Sequence, residues 1–236
     1  NADSKAQFCL DLTDFLAFSL RGVYVKGATS HGIFSDDTVG GARTTGTMFW
    51  VRSDSNAGDG IYLNSGGITA VWAYHVRSSV NSGRGLYLGG MAECWFVGID
   101  LDGNTGFGVE AIGGAHVTFL GGWIGSNNLS GSGRQFQFEN TTGFGLIGVV
   151  VYADTASASA MTAGWLYGST KQCTILGNRF RFPTNSSAKV GLRIGGLASV
   201  VSAITLQGNI CEIVNGTGML FDDAAGGATF TGILVQ

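Results

Sequence analysis

One short unit returns along the whole chain: a glycine followed by an apolar-x-apolar strand. It reads Gly32-Ile33-Phe34-Ser35, Gly60-Ile61-Tyr62-Leu63, Gly85-Leu86-Tyr87-Leu88 and Gly108-Val109-Glu110-Ala111. It continues as Gln135-Phe136-Gln137-Phe138, Gly164-Trp165-Leu166-Tyr167, Gly191-Leu192-Arg193-Ile194 and Gly218-Met219-Leu220-Phe221. The anchors Ile33, Ile61, Leu86, Val109, Phe136, Trp165, Leu192 and Met219 follow one another at steps of 23 to 29 residues, within the ~20–45 residues of structural repeats. A second unit alternates with the first and places glycine inside an apolar strand. Examples are Arg21-Gly22-Val23-Tyr24-Val25, Val97-Gly98-Ile99-Asp100-Leu101, Ile147-Gly148-Val149-Val150-Val151 and Gln207-Gly208-Asn209-Ile210, with Gly122 and Gly177 in the same place.

Each period therefore holds at least two segments of period-2 alternation, and no segment carries a helical apolar stripe. An antiparallel sandwich would also give short strands, but it does not require the same side-chain pattern to recur in register. A coil that stacks on its neighbour does, because each residue sits over its equivalent ~4.8 Å away. The expected fold is all-β, a right-handed parallel β-helix of about eight to nine coils, with residues 1–236 forming one domain. The 40 glycines against a single proline, Pro183, fit many tight turns. Asn56, Asn81 and Asn104 each precede their anchors by five residues. With Asn128 they are expected to form a stacked amide column. Inward positions are expected to include Ile61, Leu63, Leu86, Leu88, Phe136, Phe138, Trp165, Tyr167, Leu192, Ile194, Met219 and Phe221.

Composition narrows the function. Charged residues are 12% and hydrophobic residues 44%, which excludes a disordered chain. No apolar run approaches a membrane span, and a net charge of −3 leaves no footprint for nucleic acid. Cys9, Cys94, Cys173 and Cys211 form no C-x-x-C pair, so they are expected to be buried free thiols rather than zinc ligands. His31, His75 and His116 are scattered, and no metal or cofactor is expected. Gly143-Phe144-Gly145-Leu146-Ile147-Gly148 fits a dinucleotide-binding spacing but lies inside the repeat without a βαβ context. The N-x-S/T sequences at Asn128, Asn140, Asn185 and Asn215 are what turns rich in Asn, Ser and Thr produce. The apolar final run, Gly232 to Gln236, is read as the uncapped edge of a fragment of a longer protein.

The glycine-apolar strands, the Asn-bearing turns and the Phe-x-Gly-x-x-Ile strands resemble the pectate-lyase-like superfamily. Within it the chain looks most like the β-helical shafts of bacteriophage tailspikes, from about Phe15 to Gln236. The resemblance implies recognition of bacterial surface polysaccharide, with or without cleavage as a glycoside hydrolase or lyase. It also implies a homotrimer, other virion tail proteins as partners, and a virion-tail or extracellular location. A non-catalytic tail or baseplate element, a cell-surface adhesin and a secreted polysaccharide lyase are the alternatives. The chain lacks an Asp-Asp and His-Gly set like that of polygalacturonases, and the pairs Asp36-Asp37 and Asp222-Asp223 stand in the first and last coils.

The residues between inward positions face solvent. The column after the anchor reads Phe34, Tyr62, Tyr87, Glu110, Gln137, Leu166, Arg193 and Leu220, and Glu139 stands two residues further on. Aromatic faces with carboxylates and amides suit sugars, so Tyr62, Tyr87 and Gln137 are the expected carbohydrate contacts. Glu110 and Glu139 lie one coil and two residues apart, roughly 8 Å, within the inverting glycosidase range. Glu139 is the expected acid and Glu110 the base acting through water. Asp100 and Asp102, ~7 Å apart on one strand, are the alternative catalytic pair. Arg77 is expected one coil from Asp100, and Arg52 one coil from Arg77. Trp72, Trp95 and Trp123 fall at different offsets from the nearest glycine and are not expected to form one stack.

Overall fold

A computed structural model of the chain describes residues 7–37, 44–65, 68–128, 134–153, 161–182, 189–196, 199–213, 216–223 and 228–236. None of these residues is helical. A first wall stacks nine strands in chain order: Leu10–Asp11, Ile33–Asp37, Ile61–Ser65, Leu86–Gly89, Val109–Ile112, Phe136–Glu139, Met161–Tyr167, Lys189–Gly195 and Gly216–Asp222. Pairing is parallel, with Leu86 opposite Ile61 on one side and Val109 on the other. A second wall begins at Ala17–Arg21 and Thr44–Phe49, and a third at Tyr24–Lys26, Arg52–Asp54 and Arg77–Ser79. The long strands Ala92–Asp102, Ala115–Gly125 and Gly145–Tyr152 run through the corner and serve both walls. The chain is a parallel β-helix.

The period-2 pattern sets which residues enter the core. Ile61, Leu63, Leu86 and Leu88 are buried, while Tyr62 and Tyr87 between them face out. In one strand, Met161–Tyr167, the expected register is off by one, while Phe136, Phe138, Leu192 and Ile194 point inward as expected. Phe136 pairs with Gly164, and Gln137 with Trp165. Trp165 and Tyr167 therefore point outward, and the fully buried Leu166 fills the core between Phe138 and Ile194. The cause is volume. A Cβ on Gly164 would lie 2.1 Å from Phe136 Cζ, so a large ring in one coil requires a vacancy in the next. Met219 is only part-buried and Phe221 is 43% exposed, because Gly216–Asp222 is the edge strand of its wall.

Polar stacking fixes the turns. Asn56, Asn81 and Asn104 are buried and hydrogen-bond along the axis, Nδ2 to Oδ1, at 2.8 and 2.9 Å. The next member is Asn127 rather than Asn128: Asn104 Nδ2 donates to Asn127 Oδ1 at 2.8 Å, and Asn127 in turn donates to Gln135 Oε1. Asn128 and Asn140 instead hold left-handed backbone, with φ of 50° and 54°. Asn185 and Asn215 lie outside the described residues. A second ladder joins Asn178 to Asn209 at 3.0 Å.

All four cysteines are free. Burial pushes the Cys94 and Cys173 thiols up to about 11. Cys9 is exposed, contrary to expectation, because it lies just before the edge strand Leu10–Asp11.

Candidate functional site

The outer face of the first wall gathers polar groups from adjacent coils. Residues two before the inward anchors project beside those one after it. His31, Asp59 and Arg84 thus meet Tyr62, Tyr87 and Glu110. Arg84 is the centre. Its Nη2 donates to Asp59 Oδ2 at 2.8 Å, its Nε to Asp59 Oδ1 at 3.0 Å, and its Nη1 to Glu110 Oε2 at 2.5 Å. The guanidinium also lies 3.9 Å from the Tyr87 ring centre. Although burial opposes the charge, the bonds to Asp59 and Glu110 raise the Arg84 pKa. The Asp59 amide donates to His31 Nδ1 at 3.0 Å, which leaves that nitrogen without a proton. Burial lowers the His31 pKa, against the pull of Asp59 and with the help of Arg84.

The aromatic residues of this face stack on one another. Phe8 and Phe34 are 4.1 Å apart, Phe34 and Tyr62 5.2 Å, and Tyr62 and Tyr87 4.8 Å, all within 20° of parallel. With Arg84 over Tyr87, the ring faces of Tyr62 and Tyr87 are occupied. What they offer a ligand is ring edges and hydroxyls, whose pKa values burial raises. The ring faces on which the sequence reading set a sugar are covered by these contacts.

The other expected residues divide. Gln137 is only 6% exposed. Its Oε1 accepts from Arg134 Nη1 at 2.7 Å and its Nε2 donates to Glu139 Oε2 at 3.2 Å, so its amide is already used. Arg134 lies 4.0 Å from the Trp165 ring centre and Arg193 4.8 Å from it. Glu110 and Glu139 stand on neighbouring strands, with Ile112 opposite Glu139. Asp100 and Asp102 lie on the third wall. Asp100 Oδ2 is 3.6 Å from Arg77 Nε, and Asp102 accepts from Trp123 Nε1 at 3.3 Å. Burial raises the Asp100 pKa, with Arg77 opposing. Arg52, Arg77 and Asp100 are register partners across three coils.

No protein-family model matches the chain, and no curated protein does. A solved structure, the A-module of mannuronan C-5 epimerase AlgE6 of Azotobacter vinelandii, is similar over 95% of this chain and 74% of its own, at a TM-score of 0.49 and 14% identity. A likeness of that degree says nothing about what this chain binds.

Sequence reasoning missed three contributors. His31, Asp59 and Arg84 stand two residues before their anchors, a column that mixes types and so has no repeat signature. Trp72 and Trp95 are register partners, about half exposed each. Their shared offset was hidden because His75 replaces the glycine from which it is counted. Trp123 instead stacks on Tyr152 at 5.1 Å. No group of three His, Cys, Asp or Glu among the described residues could hold a metal ion.

Proposed function

We propose that the chain binds an extended polysaccharide along the first wall, across the coils that carry His31, Tyr62, Arg84, Tyr87 and Glu110. The observation that carries this reading is the chain of hydrogen-bonding groups His31, Asp59, Arg84 and Glu110, running from coil to coil beside two phenol hydroxyls. A ligand made of repeating units meets polar groups set at the regular ~4.8 Å spacing of the coils. Donors and acceptors alternate among them, as sugar hydroxyls require. The finer reading is a tailspike-type receptor-binding shaft acting on bacterial surface polysaccharide, with other virion tail proteins as partners.

Binding without cleavage has a specific observation in its favour: Arg84 already engages Glu110 as well as Asp59. Cleavage, with Glu139 as acid and Glu110 as base through water, requires that pair to loosen when sugar enters. An array of capsular and O-antigen polysaccharides, scored for binding and for new reducing ends, separates the two. Arg84→Ala should abolish binding. Glu110→Gln and Glu139→Gln should keep binding and abolish any turnover. Wild-type cleavage by both Gln variants would remove the glutamate pair from the mechanism, leaving Asp100 and Asp102 to be tested in the same way.

A homotrimer is proposed as well. The outer row of the second wall, Phe49, Tyr74, Val97, Leu120, Ile147 and Leu176, is apolar and joined in register, the kind of patch that marks subunit contact. Sedimentation as a monomer at micromolar concentration would refute it.

A further inference from the structure

Between the second and third walls each coil turns at one residue in left-handed conformation. In register these are Gly22, Trp50, His75, Gly98, Gly121, Gly148, Gly177 and Gly208, with φ from 52° to 65°. Six coils use glycine, which takes this conformation without a Cβ clash. Two adjacent coils use tryptophan and histidine, at a cost of about 1–3 kcal/mol each. Packing does not require them: a Cβ on Gly22 would meet nothing within 4 Å, and Trp50 is 64% exposed. Other turns of the chain also hold non-glycine residues at positive φ, Val80 and His116 among them, so what sets Trp50 and His75 apart is the pairing of two large rings on adjacent coils of a column that is otherwise glycine.

The surroundings say what the pair can do. The Trp50 and His75 rings stack at 4.2 Å and 12°. Glycine flanks the pair on both sides, Gly22 next to Trp50 and Gly98 next to His75, so no further ring covers the outer faces. Beside the rings lies a cleft of about 390 Å³, lined by Trp50, Arg52, His75, Arg77, Gly98 and Asp100 among others, a size suited to a small ligand. Arg77 Nε donates to Ser79 Oγ at 3.4 Å and lies 3.6 Å from Asp100 Oδ2, too far for a direct hydrogen bond to the carboxylate, so a ligand hydroxyl would meet Asp100 and the terminal nitrogens of Arg77. Arg52 is neutralised by Asp54 and Arg77 faces Asp100, so the cleft carries no surplus charge.

We propose that this corner cleft binds one neutral pyranose unit, packed against the paired Trp50 and His75 rings that line it, with adjacent hydroxyls shared between Arg77 and Asp100. An aromatic face with a donor and an acceptor alongside matches the two sides of a sugar. The charge balance selects a neutral unit, since an anion would have to displace Asp100 from Arg77. The site is separate from the first-wall face and rests on the polysaccharide reading only for the class of ligand.

The test titrates the full chain with methyl glucoside, galactoside, mannoside and rhamnoside, and with glucuronate, measuring binding by calorimetry in every variant and following the Trp50 indole N–H by NMR in the wild-type chain. At least one neutral glycoside should shift that signal. Binding should disappear in Trp50→Gly, which keeps a residue suited to the native φ. It should weaken about tenfold in Asp100→Ala, the worth of one charge-assisted hydrogen bond. No shift with any neutral glycoside, a response to glucuronate alone, or binding retained by Trp50→Gly overturns the proposal. If polysaccharide still binds and is lost in Arg84→Ala, the corner site alone has failed; if nothing binds, the carbohydrate reading has failed with it.

Discussion

Removing the Asn81 side chain tests the stacking register and the polar ladder together. Asn81 is 1% exposed. Its Oδ1 accepts from the Asn56 amide at 3.0 Å and from Asn56 Nδ2 at 2.8 Å. Its Nδ2 donates to Ser53 O at 3.2 Å, Ser78 Oγ at 3.1 Å and Asn104 Oδ1 at 2.9 Å. Several partners survive the loss. Asn56 Nδ2 keeps Ser53 Oγ, and Asn104 Oδ1 keeps the Asn81 amide. The Asn56 amide does not, and a buried donor left unpaired costs about 1–3 kcal/mol. Adding the other weakened bonds, Asn81→Ala should cost about 2–4 kcal/mol. Asn81→Asp should cost more, because it turns two-way bonding into acceptor-only and buries a charge. Asn209→Ala, at a part-exposed member of the second ladder, should cost about 1 kcal/mol or less because water replaces the amide. Urea unfolding gives these differences, and hydrogen exchange at the Asn56 amide gives the local effect. An Asn81→Ala loss below about 1 kcal/mol with unchanged Asn56 protection would refute the ladder and the register that builds it.

Three further outcomes follow from packing and ionisation. Gly164→Ala should destabilise by about 1–3 kcal/mol through overpacking, and Phe136→Leu in the same chain should recover part of the loss; additive losses in a melting experiment would contradict the contact. His31 has a lowered pKa in the fold, so the unfolded chain binds more protons once the pH falls below about 6.5. Stability should therefore decline on acidification from pH 6.5 through the lowered folded value, and His31→Phe should flatten that part of the profile in urea midpoints. A thiol reagent at pH 8 should label Cys9 rapidly and Cys94 and Cys173 only on unfolding, since burial holds those thiols near 11; fast labelling at four sites would be the contrary result.

Much of this architecture is written in local pattern. Alternation of period 2 determined which of Ile61, Tyr62 and Leu63 face inward, because successive strand side chains point to opposite sides. The return of that pattern every 23 to 29 residues implied stacking, and the equal offsets of Asn56, Asn81 and Asn104 implied an amide column. Tertiary structure decided what local pattern underdetermines. Gly164 rather than Trp165 took the place over Phe136 because only a vacancy fits beside that ring. Asn127 rather than Asn128 joined the ladder because an amide bond between coils tolerates no one-residue slip. Trp50 and His75 entered a glycine column that residue type conceals, since a left-handed corner is a backbone property and becomes visible only when the coils are aligned in space. The face around Arg84 was hidden for the same reason: His31, Asp59, Arg84 and Glu110 share no motif, and ~25 residues of chain separate contacts that the stacking of coils brings to about 3 Å.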